Sequence, residues 1–482
     1  MSKRNLSTGA IIAALFAVFF GDDAWAIPAF ARKYQTSCHT CHIAFPKLNP
    51  FGSAFRLRGY RMPDESEDMV KEVPTELGVD AYKRVWPKAI WPSDIPGTVP
   101  LAIDIALAGV TARNAEADET TKNDFRFPER VNLLAAGTFG DLLSFLANVE
   151  FDVQDEHGET RIDVGIGRAQ LNFNGPWGSG TAFNAKFGRF TPEMTQQFSH
   201  NYTLMDTVPA SMLGFAPIGV GGSSEVVTGG HGGGGAGIPV PAVTEGIEVY
   251  GIAAHRFDYS GGISNGIGPG DATRDGNNAK DVFGRVGYKF GGMSLDGEEY
   301  EASAKNWRET SLRIGAFGYL GDGKDILFAG ASEDSFVEDR EFTRAGFDLN
   351  LYWRDVNVIA GFTRGRDTLA VLEGTIGDGG EPVEPVEDEH GESRDLEEIS
   401  VGDFTYKSWF AEADYVFYPW LHGGFRYEWL RPSDRASPNF NRWLVNGTAL
   451  VRANVKALVE YYRDVSEERD DYVLRWALRF AF

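Results

Sequence analysis

The feature that most limits what this chain can fold into is an alternation of apolar and polar residues with a period of two. It is clearest at the C-terminus, where one parity is wholly apolar while the other carries Arg475 and Arg479. The apolar parity consists of Tyr472, Leu474, Trp476, Leu478, Phe480 and Phe482. A period of two with one apolar face is the pattern of a β-strand, because successive strand residues point to opposite faces.

Similar runs recur from about residue 100 onward. In residues 143–153 the polar parity includes Glu150 and Asp152, each between bulky apolar neighbours that a helix would not place on an opposite face. Candidate strands lie near residues 101–108, 130–140, 143–153, 163–174, 181–191, 247–257, 281–290, 311–320, 347–353, 356–366, 408–418, 421–430, 449–461 and 472–482. We expect roughly fourteen to sixteen strands and prefer sixteen, because single-chain bacterial barrels have even strand numbers.

A transmembrane antiparallel β-barrel accounts for these strands. No apolar run of about twenty residues, the length of a membrane-spanning helix, is present. Glycine is abundant at 57 residues, and aromatic residues make up 13% of the chain and gather near strand ends, where barrels carry interfacial girdles. A last strand that ends in Phe482 resembles the signature by which outer-membrane barrels are assembled. A soluble β-sandwich or propeller is the alternative fold.

The N-terminus has the pattern of a secretory signal peptide. Lys3 and Arg4 precede an apolar run over residues 10–20, and Ala24-Trp25-Ala26 forms an A-x-A cleavage site. The run is too short to span a membrane, which disfavours an anchor helix. We therefore expect residues 1–26 to be removed and the mature protein to reach the outer membrane of a Gram-negative bacterium.

Two long segments interrupt the alternation. Residues 213–244 are rich in glycine around His231, and residues 367–404 are acidic around His390. Because outer-membrane barrels have short periplasmic turns and long external loops, we expect both segments outside the cell. A lone histidine in a loop seldom binds a metal, so neither histidine is a preferred ligand.

The two cysteines of the chain lie in a C-x-x-C-H motif, Cys38-His39-Thr40-Cys41-His42. This motif is typical of covalent attachment of c-type haem. Cys38 and Cys41 would form thioethers with the two vinyl groups, and His42 would be the proximal iron ligand. A thioredoxin-like site should lie near a βαβ pattern, and a structural zinc site needs four ligands; the sequence offers neither.

The sixth ligand of the iron is left open by the sequence. Met62 follows His42 by twenty positions and is the first candidate, since a thioether ligand raises the haem potential. Met69 and His200 are weaker candidates, and a five-coordinate iron is a further possibility. Arg56, Arg58 and Arg61 are candidates for neutralising the haem propionates, although solvated arginines would give the same pattern.

The residues from Phe30 to Cys38, followed by Cys41 and His42, resemble the haem segment of the fused cytochrome–porins. The best-known members of that family are outer-membrane Fe(II) oxidases of iron-oxidising bacteria. The likeness is specific over residues 27–63 and only architectural elsewhere. It implies that the haem domain plugs the barrel, that Cys38, Cys41 and His42 bind one haem c, and that electrons pass inward from extracellular Fe(II).

The predicted organisation is thus a signal peptide (1–26), a small helical or coil haem domain (27–80) and an all-β barrel (81–482). A cytochrome domain of that size has little core of its own, so the haem and the barrel lumen must complete it.

The leading functional hypothesis is an electron conduit between an extracellular donor, Fe(II) or another reductant, and a periplasmic cytochrome. An Fe(II):cytochrome c oxidoreductase activity would follow. The alternatives are electron export to an external acceptor, a diffusion porin whose plug bears haem, and a peroxidase, for which no acid–base residue beyond His39 is visible. A net charge of −23 excludes nucleic acid as a partner and is compatible with attraction of cations.

Overall fold

The computed structural model describes residues 29–34, 36–63, 75–76, 84, 94–95, 100–113, 122–139, 141–156, 159–178, 180–194, 202–207, 243–265, 279–298, 303, 305–326, 337–372, 399–432, 439–465 and 470–482. The predicted signal peptide, the predicted domain boundary at residues 80 and 81, and the candidates Met69, His200, His231 and His390 lie outside these ranges. No helix in the described part of the chain is both long and apolar enough to cross a membrane.

Short elements occupy the N-terminal part of the chain. Two helices, α1 (Ala29–Lys33) and α2 (Pro50–Leu57), flank a 3-10 turn at Cys38–Thr40 and a small hairpin of β1 (His42–Ala44) and β2 (Lys47–Leu48). A second two-stranded sheet pairs β3 (Thr75–Glu76) with β4 (Asp94–Ile95).

Sixteen longer strands follow, and one further 3-10 turn lies at Pro176–Gly178. The strands are β5 (Leu101–Arg113), β6 (Lys122–Phe139), β7 (Leu143–Glu156), β8 (Glu159–Asn174), β9 (Asn184–Phe190), β10 (Thr244–Ala253), β11 (Phe257–Asn265), β12 (Lys280–Gly291), β13 (Glu309–Ile326), β14 (Val337–Arg354), β15 (Val356–Leu372), β16 (Ile399–Tyr418), β17 (Leu421–Pro432), β18 (Phe440–Arg452), β19 (Val455–Val465) and β20 (Asp470–Ala481).

These sixteen strands form one closed barrel in which every strand pairs antiparallel with its neighbours in sequence. The barrel closes where β20 pairs with β5, with Trp476 opposite Gly109 and Phe480 opposite Ile105. Closure leaves no sheet edge unpaired, which is the condition for crossing a bilayer with strands. The prediction of an antiparallel barrel of about sixteen strands is therefore confirmed.

The polarity of the wall is the reverse of that in a soluble protein. On β12 the apolar Val282, Val286 and Phe290 are exposed on the outside, whereas Asp281 and Arg285 are buried on the inside. The C-terminal strand repeats this arrangement, since its apolar parity faces outward and its two arginines face the lumen. An apolar exterior around a charged interior is the arrangement of a barrel surrounded by lipid.

The two ends of the barrel differ in their connections. At one end the strands join through short turns, such as Asp355 between β14 and β15 and residues 419–420 between β16 and β17. At the other end the connections are longer and include residues 373–398. Short turns lie on the periplasmic side of outer-membrane barrels, so we assign the short-turn end to the periplasm and place the chain in the outer membrane of a Gram-negative cell.

The alternation pattern did not predict two of the sixteen barrel strands. The run 449–461 is a hairpin rather than a single strand, because β18 and β19 meet at a turn over residues 453–454. A β-bulge between Leu450 and Arg452 keeps the same parity inward on both sides of the turn, so the pattern continues unbroken through it. The other strand, β11, contains Gly261 and Gly262 in place of a regular apolar parity.

Candidate functional site

Residues 29–63, here called the plug, lie inside the short-turn end of the barrel. The Arg61 Nη1 donates a hydrogen bond to the carbonyl oxygen of Asp141 at 2.6 Å, and the Asn174 Nδ2 donates to that of Gly59 at 3.4 Å. On another side, Leu57 packs in one apolar cluster with Ile252 and Leu295. Each barrel residue in these contacts lies at or beside a periplasmic connection, so the plug occupies the periplasmic end of the lumen.

The cysteine loop of the plug is locally ordered. Its 3-10 turn begins after Ser37, whose hydroxyl accepts a hydrogen bond from the His39 backbone N–H at 3.3 Å. The Cys41 N–H donates to the Cys38 carbonyl oxygen at 3.2 Å, which brings the two cysteines onto one turn. Both thiols are free and half-buried. Burial raises the pKa of both, that of Cys41 to about 12, so both are protonated at neutral pH.

Asn49 fixes this loop against helix α2. Its side chain is fully buried, and its Nδ2 donates to the carbonyl oxygens of His39 at 3.2 Å and Thr40 at 3.0 Å. Its Oδ1 accepts from the Gly52 N–H at 2.7 Å and thereby caps the helix. A Cβ at Gly52 would overlap the carbonyl oxygen of Cys41, so only glycine permits so close an approach. One asparagine therefore orders both the cysteine loop and the helix beneath it.

His42 is held in the tautomer that suits an iron ligand. Its Nδ1 lies 3.1 Å from the Pro46 carbonyl oxygen, to which it donates when Nδ1 carries the proton. Burial lowers the pKa of His42 to about 4, so the imidazole is neutral at physiological pH. A neutral ring that donates through Nδ1 has its lone pair on Nε2, which is the arrangement of many histidines that bind metals.

Aromatic side chains of the plug pack chiefly on one another. The Phe30 and Tyr60 rings stack with centroids 5.1 Å apart, and Phe55 meets the edges of Phe30 at 5.4 Å and Tyr34 at 5.8 Å. Phe45 instead lies beneath cations of the wall, with the Lys456 Nζ 5.6 Å from its ring centroid. The plug thus has a small aromatic cluster of its own, formed by Phe30, Tyr34, Phe55 and Tyr60.

The three arginines that are candidates for neutralising propionates all contact protein groups. Arg56 forms an ion pair with Glu193, and its Nη2 donates to the Tyr202 hydroxyl at 2.6 Å. The Arg58 Nη1 donates to the Asp296 carbonyl oxygen at 3.3 Å, and Arg61 binds the periplasmic turn described above. These contacts join the plug to the rest of the barrel, and a role toward haem propionates stays a prediction.

Met62, the first candidate for the sixth ligand, is half-buried at the end of the plug. Its neighbour Arg61 binds the β6–β7 turn, and its other neighbour Pro63 lies beside Gly297 in the connection between β12 and β13. The hairpin that carries His42 packs elsewhere, with Ile43 against Tyr352 and Val416 of β14 and β16. Met62 as a ligand remains a prediction.

One buried residue of the wall was not singled out by the sequence. His422, the second residue of β17, is 1% exposed, and neither of its ring nitrogens has a hydrogen-bond partner among the described residues. It pairs across the sheet with Val416, which shares an apolar cluster with Ile43 of the plug. A single histidine within an alternating strand gives no signal in the sequence.

A second piece of chain fills the lumen beside the plug. Glu193, Met194 and residues 202–207, here called the luminal segment, belong to the connection between β9 and β10. The Asp206 carboxylate binds Lys456 at 3.1 Å, Arg475 at 2.8 Å and Arg479 at 2.9 Å. Met194 and Tyr202 pack against buried aromatic side chains of the wall.

Comparisons with known proteins find similar barrels. No protein-family model matches the sequence, and no curated protein matches it significantly. Among solved structures, an anion-selective porin from Comamonas acidovorans shares 11% identity, with 80% of this chain and 99% of that chain covered and a TM-score of 0.46. Salmonella typhi OmpF in complex with daunomycin shares 10% identity, with coverages of 79% and 97% and a TM-score of 0.47.

The outer-membrane channel DcaP of Acinetobacter baumannii is a third such structure, with 11% identity, coverages of 79% and 97% and a TM-score of 0.42. Similarity at this level of identity concerns the barrel fold and not solutes, cofactors or partners.

Proposed function

We propose that the chain is an outer-membrane cytochrome–porin that carries electrons between an extracellular donor and a periplasmic cytochrome through one covalently bound haem c. The observation that carries the proposal is the C-x-x-C-H loop inside the barrel, ordered by Asn49, with two free thiols and a neutral His42. The residues present fit haem c, because both attachment thiols lie on one turn and His42 offers Nε2 to iron.

In this proposal Cys38 and Cys41 would hold haem c by thioethers and His42 would bind its iron. The bound group would supply one-electron redox chemistry. The plug excludes bulk water from the group and fixes its position at the periplasmic end, where a soluble cytochrome has access. Met62 remains a candidate for the sixth ligand.

The depth of the plug limits what can serve as donor. Lys47 of the plug forms an ion pair with Asp414, whereas β16 continues outward to Ile399. At about 3.3 Å per residue this is about 50 Å of strand, or about 35 Å along the axis at a tilt of about 45°. A donor therefore has to enter the lumen, which suits a hydrated Fe(II) ion, and the acidic chain would attract such a cation.

The same residues would serve electron export to an external acceptor, since the direction of electron flow depends on the haem potential.

The barrel itself favours a second candidate, a diffusion porin whose plug bears haem. That function requires solute to pass between plug and wall. The luminal segment and the plug both occupy this space. A diffusion porin would still have to pass solute rapidly, whereas an electron conduit would not, so solute flux distinguishes the two candidates.

The test is to purify the protein from outer membranes and record absorbance spectra before and after anaerobic addition of Fe(II). A c-type spectrum that becomes reduced with Fe(II) would support the iron-donor direction. A haem reduced only by dithionite would favour export. The matched control is Cys38→Ser/Cys41→Ser, which should lack covalent haem. Absence of haem from the unaltered protein, in cells competent for haem attachment, would overturn the proposal, and rapid solute flux into liposomes would favour the diffusion porin.

A further inference from the structure

His422 lies on the wall where the small hairpin that carries His42 docks. On its strand it is the inward residue nearest the periplasmic turn, paired with Val416 of β16 and Thr448 of β18. Val416 packs against Ile43, which immediately follows the proximal His42 in sequence. The imidazole is thus part of the surface that receives the plug.

The plug presents polar groups to this surface. His39, between the two cysteines, and Lys47, at the other end of the small hairpin, act electrostatically on His422. Lys47 forms an ion pair with Asp414, and the Thr448 hydroxyl donates a hydrogen bond to Asn446 Oδ1 at 3.0 Å. Lys47 and Thr448 therefore already have partners other than His422.

The ring of His422 is left without a partner of its own. Both nitrogens are buried, and neither makes a hydrogen bond with any described residue. A buried polar atom without a partner lowers the stability of the fold, and the His422 ring has two such atoms. An unpartnered imidazole on the surface where the plug docks indicates that a group other than the described protein atoms binds to it.

We propose that this group is the haem iron and that His422 is its distal axial ligand, opposite His42. The inference rests on the proposed function. A neutral imidazole is a common iron ligand, and it binds the metal through the ring nitrogen that carries the lone pair, which then needs no hydrogen-bond donor. Haem c would then be shared between the two parts of the molecule, with its thioethers and proximal ligand on the plug and its distal ligand on β17.

Two consequences distinguish this site from one completed by Met62. A bis-histidine haem has a lower potential than a histidine–methionine haem, because a thioether ligand raises the potential. Coordination would also anchor the plug to the wall, so that loss of the distal ligand would loosen the plug without affecting haem attachment.

The experiment compares His422→Ala with the matched control Met62→Ala in the full-length protein purified from outer membranes. The readouts are the ferric electron paramagnetic resonance spectrum, the near-infrared magnetic circular dichroism spectrum and the midpoint potential. We expect His422→Ala to keep covalent haem but to lose the bis-histidine signature, and free imidazole to restore it. Met62→Ala should leave all three readouts unchanged.

The contrary outcomes are separable. An unchanged spectrum in His422→Ala, or a loss of low-spin signal in Met62→Ala alone, would overturn the assignment of His422 and leave the proposed function intact. Absence of haem from the unaltered protein would overturn the proposed function and this inference together. If His422→Ala fails to fold, the side chain of His422→Gln retains much of the volume, and the same spectral criterion applies to it.

Discussion

The plug and the luminal segment both fill the lumen, but the wall holds them by different interactions. The luminal segment is held by charge, since Asp206 meets three cations and its backbone N–H donates to Glu460 Oε2 at 3.0 Å. Glu460 Oε1 accepts a second backbone hydrogen bond, from Thr207 at 3.2 Å. These contacts of Asp206 and Thr207 are all with the barrel wall.

The plug depends on fewer charged contacts and on its own internal order. Lys47–Asp414 and Arg56–Glu193 join it to the rest of the lumen, and Lys33 donates to Thr138. Its remaining contacts are small apolar clusters, such as Ala44 with Leu204 and Leu450. A cluster of buried charges thus holds the luminal segment on the wall, whereas single ion pairs and small apolar clusters hold the plug.

The largest effect on the difference between the two regions is expected from replacing Asp206. Asp206→Asn leaves three buried cations without their shared carboxylate, and breaking such an arrangement costs about 3–5 kcal/mol. We expect the luminal segment to detach and single-channel conductance to rise several-fold, with the haem spectrum unchanged. The matched control is Asp464→Asn, which removes an ion pair with Arg442 on the wall. Equal conductance in the two variants would show that Asp206 does not hold the segment.

Replacing Lys47 should act on the plug and spare the luminal segment. Lys47→Met leaves Asp414 buried with its principal cation removed, at a cost of about 3 kcal/mol or more. We expect the plug to become accessible to protease and the haem potential to shift, at constant conductance. The double variant Lys47→Met/Asp414→Leu should recover most of the loss, because apolar replacement of a buried ion pair is often neutral. Failure to recover would mean that Lys47 acts through another group.

Asn49→Ala tests the internal order of the plug. It removes the helix cap and two hydrogen bonds to the cysteine loop, with an expected cost of about 1–2 kcal/mol. We expect a several-fold lower ratio of covalent haem to protein, measured by the pyridine haemochrome assay. Ser53→Ala, which removes only a hydroxyl hydrogen bond to the Asn49 carbonyl oxygen, is the control and should load normally. Normal loading in both variants would contradict the proposed role of Asn49.

The smallest effect is expected at the exposed turn between β14 and β15. Hydrogen bonds from Arg308, with a smaller contribution from Trp307, lower the pKa of Asp355 from 3.8 to about 2. Its contribution to stability is therefore present above pH 3.8 and lost as the pH falls through 2. Asp355→Asn should abolish this dependence between pH 4 and 2 and change stability at neutral pH only slightly, as measured by thermal unfolding.

Much of the fold was predictable because the period-two pattern has a direct physical cause. The outward parity of β20 was read correctly, since lipid and lumen select opposite polarities along one strand. The turn at residues 453–454 was missed because a bulge preserved the parity across it. Strand β11 was missed because its glycines remove the alternation.

The candidate site was predictable only where covalent chemistry fixes the spacing. Cys38, Cys41 and His42 were found from their motif, and the haem itself remains a prediction. Asn49 and His422 could not be found, since their roles arise from contacts that only the folded chain creates. The arginines expected at propionates illustrate the converse, because a positive charge in sequence does not reveal which carboxylate or carbonyl group it meets.

The pairing of β20 with β5 has a consequence for how the protein is made. The wall cannot become a ring until its last strand is available, whereas the plug precedes the first wall strand in the chain. Under the proposed function, the enzymes that attach haem have to reach Cys38 and Cys41 before the wall closes around the plug. Haem attachment would then take place in the periplasm while the chain is still open. After the barrel closes in the membrane, no further haem could be added.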